Sequence, residues 1–522
     1  MIAVYLVSSL LTVFSAAMLL YVSLATGFGP WIGPMLVLCI RAGSGLLGRA
    51  RLDARTVARM TIFASFGGAI ATGIGFSLPT LQFVDGGVWD HWMQHPVWFC
   101  FFVGSMVIAA GLFGIGIARR IAPLLAEAEH ATFPVSSTIN RAIEMEHKTK
   151  DFAYFGAGVV LPGVVAALRG CALYAVQLSP VCWAVGFLAG AGVIAPLFVG
   201  LVIQNVGLYF FHACTRDVVW GGLSLLERND ITFAFCSGLL VSSLVRPFLV
   251  APLKMLSAIR DKVIVGVRAL YTAEQEAVHS VWQRLEVIGG LLIAGLCCYL
   301  RMPIGALFFL AAVFVPVLEH MGQFTVVTGL ATYGRYMTIV MIPLLFMPAV
   351  SATHVVVACT LVGIAGGALA DGLFSYRVGQ HFGMQEKTLH RMQVYGLLVT
   401  ALSVGILFWG LSTHFTLGTA PLVAQRAVSR ALLMKAFRFN VLVLVGGFVV
   451  GLLLEWVAIS PVMVFGGLIM PAGLVLSLIV GALLRHYTRV LEQWTFFWSG
   501  VLAGDIVWLV VALAIEAVYS CF

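Results

Sequence analysis

The sequence predicts an all-α, polytopic transmembrane bundle of about 13–17 spans, with two repeat-related halves and some broken or re-entrant helices. Charged residues make up only 10% of the chain and its mean hydropathy is +1.03, whereas soluble proteins contain about 25% charged residues. Apolar windows of about 17–25 residues recur along the chain, and each can cross about 30 Å of hydrocarbon. Because backbone groups in hydrocarbon need internal hydrogen bonds, the spans are predicted to be helices.

The apolar windows follow one another with short polar loops between them, and about fifteen spans are expected. Near the first of them, the segment Ala25–Pro34 combines Gly and Pro within a short apolar window, which predicts a broken helix. The predicted spans cover residues 2–25, 27–41, 57–82, 97–118, 152–168, 180–211, 231–252, 285–300, 302–319, 324–350, 353–374, 392–412, 439–458, 462–484 and 493–517.

Positive charge is concentrated in short loops, so the formal charge of +8 is attributed to membrane topology rather than to nucleic-acid binding. The segment Val84–Pro96 carries Asp and His but no Lys or Arg, and we expect it to be an irregular, outward-facing loop. The clusters predicted to be cytoplasmic are Arg41–Arg59, Arg119–Lys150, Lys254–Arg284, Arg377–Arg391, Arg426–Arg438 and Arg485–Arg489. Two of these clusters, Arg119–Lys150 and Lys254–Arg284, are separated by three predicted spans, but clusters on the same side of a membrane require an even number of crossings. The block 180–211 is therefore predicted to be two short crossings or a broken hairpin.

Two segments of similar sequence predict an internal duplication. Ser179–Pro196 and Ser460–Pro471 both open with Ser-Pro-Val and close with Gly-x-Ile-x-Pro. Duplicated halves are common in transporters. We therefore expect an N-terminal half, 1–265, and a C-terminal half, 266–522, and the matching order of features favours a parallel repeat.

Ionisable side chains within the spans are the candidates for function, because each costs about 2.5–3.5 kcal/mol at the centre of a bilayer. Glu319 and His320, followed by Gln323, form the strongest cluster: a buried carboxylate beside an imidazole can load and release a proton. Solvation at a helix mouth is the alternative for this cluster. A substrate carboxylate could be held by Arg335 with Tyr333 and Tyr336, for which interfacial anchoring is the alternative. The remaining candidates, for coupling, substrate contact or polar packing, are Asp371, Asp505, Glu455, Gln204 and Asn205.

Signatures of cofactor chemistry are missing from the sequence. The ten cysteines form no CxxC pair and are predicted to be small buried hydrophobes. No Walker, HExxH or GxSxG motif is present, which argues against an ATP-driven pump and against hydrolytic or zinc enzymes. We expect no cofactor, no bound metal and no enzymatic activity.

Five segments, taken in order, resemble landmarks of the oligopeptide transporter family, which includes the yellow stripe-like metal-chelate carriers. The second contains Phe133-Pro134 and a small polar run, but the glycine usual in the family is absent from this run. The third contains Asp371, followed by Tyr376 and Arg377 where the family usually has a lysine. The five segments are Phe63–Phe83, Gly111–Ile143, Ala368–Gly396, Gly466–His486 and Phe496–Leu513.

The resemblance implies proton-driven import of small oligopeptides across the cytoplasmic membrane, by alternating access between the two halves. Import of metal-siderophore or other metal-chelate complexes is the alternative cargo. A polytopic membrane enzyme acting on a lipid-linked substrate is the alternative from another class. The implied partners are the peptide or chelate, protons and the lipid bilayer, with a homodimer as a candidate assembly.

The resemblance also implies a short helix at the inner mouth of the substrate path, in which Phe133, Pro134, Ser136 and Ser137 form a gate motif. The residues themselves predict that Pro134 ends the incoming chain and that Ser136 or Ser137 caps the new helix. Ile139, Ala142 and Ile143 follow helical spacing, so this helix is expected to pack on the bundle.

Overall fold

The computed structural model describes residues 2–27, 29, 32–46, 52–126, 133–144, 149–167, 180–189, 191–207, 231–232, 234–242, 279–328, 333–419, 422–435, 441–457, 459–470, 472–487, 494, 497, 498, 500, 501, 504 and 508. These residues form helices and connecting turns without any β-strand, so the predicted all-α bundle is confirmed.

The helices of the N-terminal part of the chain are α1 Ile2–Thr26, α2 Gly33–Leu46, α3 Ala54–Ser77, α4 Thr80–Val84, α5 Gly86–Gln94, α6 Pro96–Ala126, α7 Pro134–Glu144, α8 Thr149–Ala167, α9 Pro180–Ala189 and α10 Ala191–Val202, which continues into the π-helical turn Ile203–Gly207. The helices after residue 278 are α11 His279–Tyr299, α12 Ile304–Thr328, α13 Tyr333–Leu345, α14 Ala352–His381, α15 Glu386–His414, α16 Gln425–Lys435, α17 Val441–Trp456, α18 Pro461–Ile469 and α19 Ala472–Tyr487.

Within the described part of the chain, six helices are long and apolar enough to cross a membrane, as in a multi-pass membrane protein. Shorter apolar helices accompany them, including part of α11 and the whole of α17 and α19. The six long segments are Val4–Thr26, Ala54–Val84, Pro96–Pro123, Ile304–Gly322, Ala352–His381 and Glu386–His414.

Helices α3 and α14 run antiparallel along the centre of the bundle, and we call their contact the α3–α14 seam. Every residue in the apolar window of α3 is buried. At one end of the seam, Ser77 Oγ donates to Thr360 Oγ1 over 2.9 Å. Further along, a Cβ added to Gly73 would lie 2.5 Å from the carbonyl oxygen of Gly363. Glycine at this crossing therefore lets the two backbones approach closely.

One end of the bundle holds the described arginines of the first two basic clusters, and we call it the arginine-rich end; these are Arg41, Arg55, Arg59, Arg119 and Arg120. At the arginine-rich end, Arg41 Nη1 donates to Leu52 O over 3.1 Å, and Arg119 lies near the corresponding end of α6. At the opposite end, Trp409 Nε1 of α15 donates to Met93 O over 3.1 Å. The segment 84–96 therefore lies at the other end of the bundle from the first two arginine clusters, as the charge pattern predicts.

The prediction that Arg426–Arg438 lies at the arginine-rich end is wrong for the described residues of that cluster. Lys435 Nζ, at the end of α16, donates to Phe83 O over 2.6 Å. Ala424 N donates to Leu24 O over 2.7 Å at the start of α16. Helix α16 therefore lies at the opposite end, beside the carbonyl ends of α1 and α4. Cations are stabilised at such helix C-termini, so these charges have a structural partner that a count of loop charges does not detect.

The segment Val84–Pro96 is helical where an irregular loop was predicted. Asp85 Oδ1 accepts a hydrogen bond from Val88 N over 3.2 Å and caps α5. The helix brings the rings of His91 and His95 within 4.8 Å, centroid to centroid. The two glycines in this segment do not prevent helix formation because the cap satisfies one of the donors of its first turn.

Several predicted spans are divided. The break predicted within Ala25–Pro34 is confirmed, because α1 ends at Thr26 and α2 begins at Gly33. The block 324–350 is not one span: α12 ends at Thr328 and α13 begins at Tyr333. The block 462–484 is likewise two helices, α18 and α19, and the predicted division of 180–211 is seen as α9 and α10.

The two segments of similar sequence pack against each other in opposite directions. Gly186 of α9 lies against Leu478 of α19, whereas Gly200 of α10 lies against Val464 of α18. Residue numbers thus rise along one segment as they fall along the other. These contacts concern the two segments alone, and the parallel repeat of the two halves stays a prediction. The boundary at residue 265 stays a prediction.

Candidate functional site

A small cavity lies within the bundle where Ser65 of α3 meets Asp371 of α14. Its volume is about 20 Å³, room for about one water molecule. Helices α1, α2, α3, α7, α13 and α14 contribute to its wall, and Asp371 is the only charged residue among the described lining residues. The polar residues of this wall are Thr61, Ser65, Thr72, Tyr333, Asp371 and Ser375.

Asp371 is held by two hydroxyl groups. The residue is 5% exposed, and its Oδ2 accepts hydrogen bonds from Ser65 Oγ over 2.9 Å and from Ser375 Oγ over 3.4 Å. No ion pair joins Asp371 to a described basic side chain. A buried carboxylate without a cationic partner is costly when ionised. The charge state of Asp371 should therefore depend on how the surrounding helices are arranged.

Three helices begin at the wall of this cavity. Gly33 is the first residue of α2, Val135 the second of α7 and Tyr333 the first of α13, and all three residues line the cavity. The N-terminus of a helix carries a partial positive charge. Broken helices in transporters present such ends to anionic groups at the bilayer midplane. Negative charge in this cavity, on Asp371 or on a ligand, is thus favoured by helix dipoles.

The start of α7 differs from the prediction that Ser136 or Ser137 caps it. The helix begins at Pro134, a residue suited to the first helical position, and Ser137 N donates to Phe133 O over 3.0 Å as the first helical bond. Phe133, with φ of 43°, therefore occupies the capping position. Ser136 Oγ instead donates to Phe374 O of α14 over 3.0 Å. Ser136 is the third residue of α7 and therefore lies inside the helix rather than at its capping position.

Helix α7 covers the cavity from the arginine-rich end. Val135 and Ile139 line the cavity, and the predicted packing face formed by Ile139, Ala142 and Ile143 is buried. Its C-terminal end is tethered at two points: Arg41 Nη2 donates to Ile143 O over 3.0 Å, and His381 Nε2 lies 2.6 Å from Glu144 Oε1. The first turn of α7 thus forms a floor between the cavity and the arginine-rich end.

The Glu319–His320 pair faces two different neighbours and does not line the cavity. Glu319 Oε1 lies 2.6 Å from Arg120 Nη2, to which Glu286 also pairs over 3.6 Å. His320 Nδ1 lies 2.6 Å from Tyr336 Oη. Gln323 belongs to α12, but its side chain lies outside the described atoms. In this arrangement Glu319 takes part in an ion-pair network between α6, α11 and α12.

The other predicted candidates are dispersed. Tyr333 is buried at the cavity wall, and Arg335 lies in α13 with a side chain outside the described atoms. Glu455 is buried near the end of α17. Asn205 and Gln204 belong to the π-helical turn, and Asn205 Nδ2 donates to Leu201 O over 2.9 Å. Glu455, Gln204 and Asn205 do not line the cavity. Asp505 lies outside the described residues.

The hydroxyl groups that complete the site are not among the candidates predicted from the sequence. Thr61, Ser65 and Thr72 of α3 stand four and seven residues apart, which places them on one helical face. That spacing is a usable signal, but small hydroxyl residues also pack between transmembrane helices without binding anything. Ser375, one helical turn after Asp371, carries the same signal on α14.

No protein-family model matches this chain, and no curated protein is detectably similar to it. The resemblance to oligopeptide transporters therefore rests on the five short segments alone. Among the described residues, no three His, Cys, Asp or Glu side chains come together as a metal site.

Proposed function

We propose that this chain is a proton-coupled secondary importer of small oligopeptides in the cytoplasmic (inner) membrane. One observation supports it most strongly: Asp371 is a buried carboxylate at the centre of the bundle, hydrogen-bonded by Ser65 and Ser375 and without an ion pair to the described residues. Ionisable groups in such positions are typical of ion and proton pathways.

Asp371 is suited to carry the coupling proton. Ionisation of a carboxylate at this depth costs several kcal/mol, and protonation removes that cost. The hydroxyl groups of Ser65 and Ser375 can donate to the ionised form or accept from the protonated form. A change in protonation can thus bias two arrangements of the helices around Asp371, as coupling requires.

The size of the cavity indicates a closed arrangement. About 20 Å³ holds about one water molecule and excludes a peptide. A peptide must therefore be admitted by movement of the helices that surround the cavity. Alternating access by rocking of repeat-related segments provides such a movement.

Helix α7 is the part of the wall best placed to act as the inner gate. Its first turn lines the cavity on the side of the arginine-rich end, and Ser136 Oγ of this turn donates to Phe374 O of α14. Short loops rich in Arg and Lys lie on the cytoplasmic side. Opening at α7 would therefore release cargo to the cytoplasm.

Peptides are proposed as the cargo because of the sequence resemblance to oligopeptide transporters. The test is uptake of radiolabelled trialanine by liposomes that contain the purified protein, with an imposed pH gradient, acidic outside. We expect accumulation above the external concentration, which collapses when a protonophore is added. Equal internal and external concentrations with and without the gradient would refute proton-coupled transport of this peptide.

A further inference from the structure

Two arginine side chains of α16 lie next to the same glycine, Gly334 of α13. Arg426 and Arg430 stand four residues apart and therefore share a helical face. Arg430 Nη2 lies 3.7 Å, and Arg426 Nη1 3.9 Å, from the position that a Cβ of residue 334 would occupy. Residue 334 is glycine, so a space the size of a methyl group is left open next to the two guanidinium groups.

Arg430 is a buried cation without a carboxylate among the described residues. The residue is 3% exposed. Its guanidinium donates hydrogen bonds to Phe76 O, to Gly334 O and Arg426 O over 3.5 Å, and to Met337 Sδ over 3.0 Å. Its buried Nε has no hydrogen-bond partner in the described part of the chain. Carbonyl and thioether groups solvate a guanidinium only partly, and a buried charge left without a counter-ion is costly.

Arg426 is oriented toward the same place and connects it to the surface. Its Nε donates to Gly27 O over 3.0 Å, and its guanidinium lies 5.8 Å from the centre of the Phe76 ring. The residue is half-buried, as is Gly334. The space between the guanidinium groups therefore borders a partly open surface.

This space also adjoins the cavity of Asp371. Tyr333, the residue before Gly334, lines that cavity. The arginine pair lies on the side of the bundle opposite α7, because it bonds to Phe76 and Gly27 near the ends of α3 and α1. An extended ligand that entered from this side would thus meet the arginine pair before it reached Asp371.

We propose that Arg430 and Arg426 bind the terminal carboxylate of the peptide substrate in the space above Gly334. The inference rests on the proposed peptide transport. A carboxylate supplies the missing counter-ion and matches the fork of N–H donors on a guanidinium. Glycine at position 334 keeps the backbone beside the two guanidinium groups free of a side chain.

The test compares trialanine with trialanine amide, which lacks the negative charge, as ligands of the full-length protein in detergent. Affinity is read from the dependence of the unfolding temperature on ligand concentration. We expect the amide to bind about tenfold or more weakly, because hydrogen bonds to a charged group contribute about 1.5–3 kcal/mol. Equal affinity for the two forms, or no binding of either, would overturn the proposal.

Two variants test whether the arginine pair causes the preference for trialanine over its amide. Arg426→Gln removes one charge, and Gly334→Ala puts a methyl group at ordinary contact distance from both guanidinium groups, so that the fold is retained while the space is filled. Both should reduce the preference for trialanine over its amide to less than about threefold, a loss of about half its free energy. Lys435→Gln is the matched control, since it removes the same charge from α16 at its far end, and it should keep the wild-type preference. Retention of the full preference in both variants would contradict the assignment.

The proposed transport can fail separately from this site. Preference for trialanine over its amide without gradient-driven accumulation would refute the importer and support the carboxylate site. Accumulation of trialanine and its amide to the same level, with equal affinities, would support the importer and refute the site.

Discussion

Ser65 Oγ donates a 2.9 Å hydrogen bond to Asp371 Oδ2, and this contact joins the two central helices of the bundle. The same two helices are joined at the far end of their seam by Ser77 and Thr360. Close glycine contacts fill the interval between the two hydrogen bonds. The α3–α14 seam thus combines close backbone packing with a single buried carboxylate.

Replacement of Ser65 by alanine should destabilise the protein. The change leaves Asp371 with the longer 3.4 Å bond from Ser375 as its described hydroxyl contact. We expect a loss of about 1 kcal/mol in the free energy of unfolding, measured by thermal unfolding in detergent. Ser403→Ala is the control, because Ser403 Oγ bonds only within its own helix. An equal loss in both variants would show that the interhelical hydrogen bond adds no more to the free energy of unfolding than a bond within one helix.

The glycine crossing predicts a second stability effect. In Gly73→Ala the new Cβ would lie 2.5 Å from Gly363 O, so α3 and α14 must separate. The expected loss is about 1–3 kcal/mol in the free energy of unfolding. Gly295→Ala, whose new methyl group meets no atom within 4 Å, should not lower the unfolding temperature. The account of the seam would be wrong if Gly73→Ala unfolded at the wild-type temperature.

Glu319→Gln should retain gradient-driven uptake. Glu319 and Arg120 are 38% and 42% exposed at the side chain, and ion pairs near solvent contribute about 0–1 kcal/mol. We expect the initial rate of trialanine uptake to stay within about twofold of wild type. Complete loss of accumulation would instead make Glu319 a coupling residue, as the sequence first suggested.

The position of α16 predicts a labelling pattern. Thr419, just before α16, and Gln380, near the end of α14, are both exposed and lie at opposite ends of the bundle. In intact cells a membrane-impermeant maleimide should label Thr419→Cys, whereas Gln380→Cys should react only after permeabilisation. Mass spectrometry of the modified peptides distinguishes these sites from the native cysteines. Labelling of both or neither in intact cells would contradict the orientation.

Composition predicts the bundle but not where its helices break. The spans follow from hydropathy because hydrocarbon admits few polar groups. The breaks before Gly33 and Tyr333 depend on which other helices supply hydrogen-bond partners for the helix ends. Those partners depend on tertiary structure. Of these two breaks, the one before Gly33 is also indicated by local sequence, through the Gly and Pro residues that precede it.

Part of the candidate site could be predicted from sequence. Asp371 is identifiable because a carboxylate within a span is rare and costly. Glu319 has the same local signal, yet it pairs with Arg120 from a distant helix, and no local pattern separates the two cases. The positions of Arg426 and Arg430 could not be predicted from the sequence. Clustered arginines normally mark a cytoplasmic loop, whereas these two contact backbone carbonyls at helix ends.

The most direct test of Asp371 as the coupling residue compares two modes of trialanine transport in Asp371→Asn liposomes. Asparagine keeps the size and hydrogen-bonding capacity of a protonated aspartate but cannot release a proton. We predict that exchange of labelled for unlabelled trialanine across the membrane persists, whereas accumulation driven by a pH gradient is lost. Gradient-driven accumulation at the wild-type level in Asp371→Asn would contradict the account.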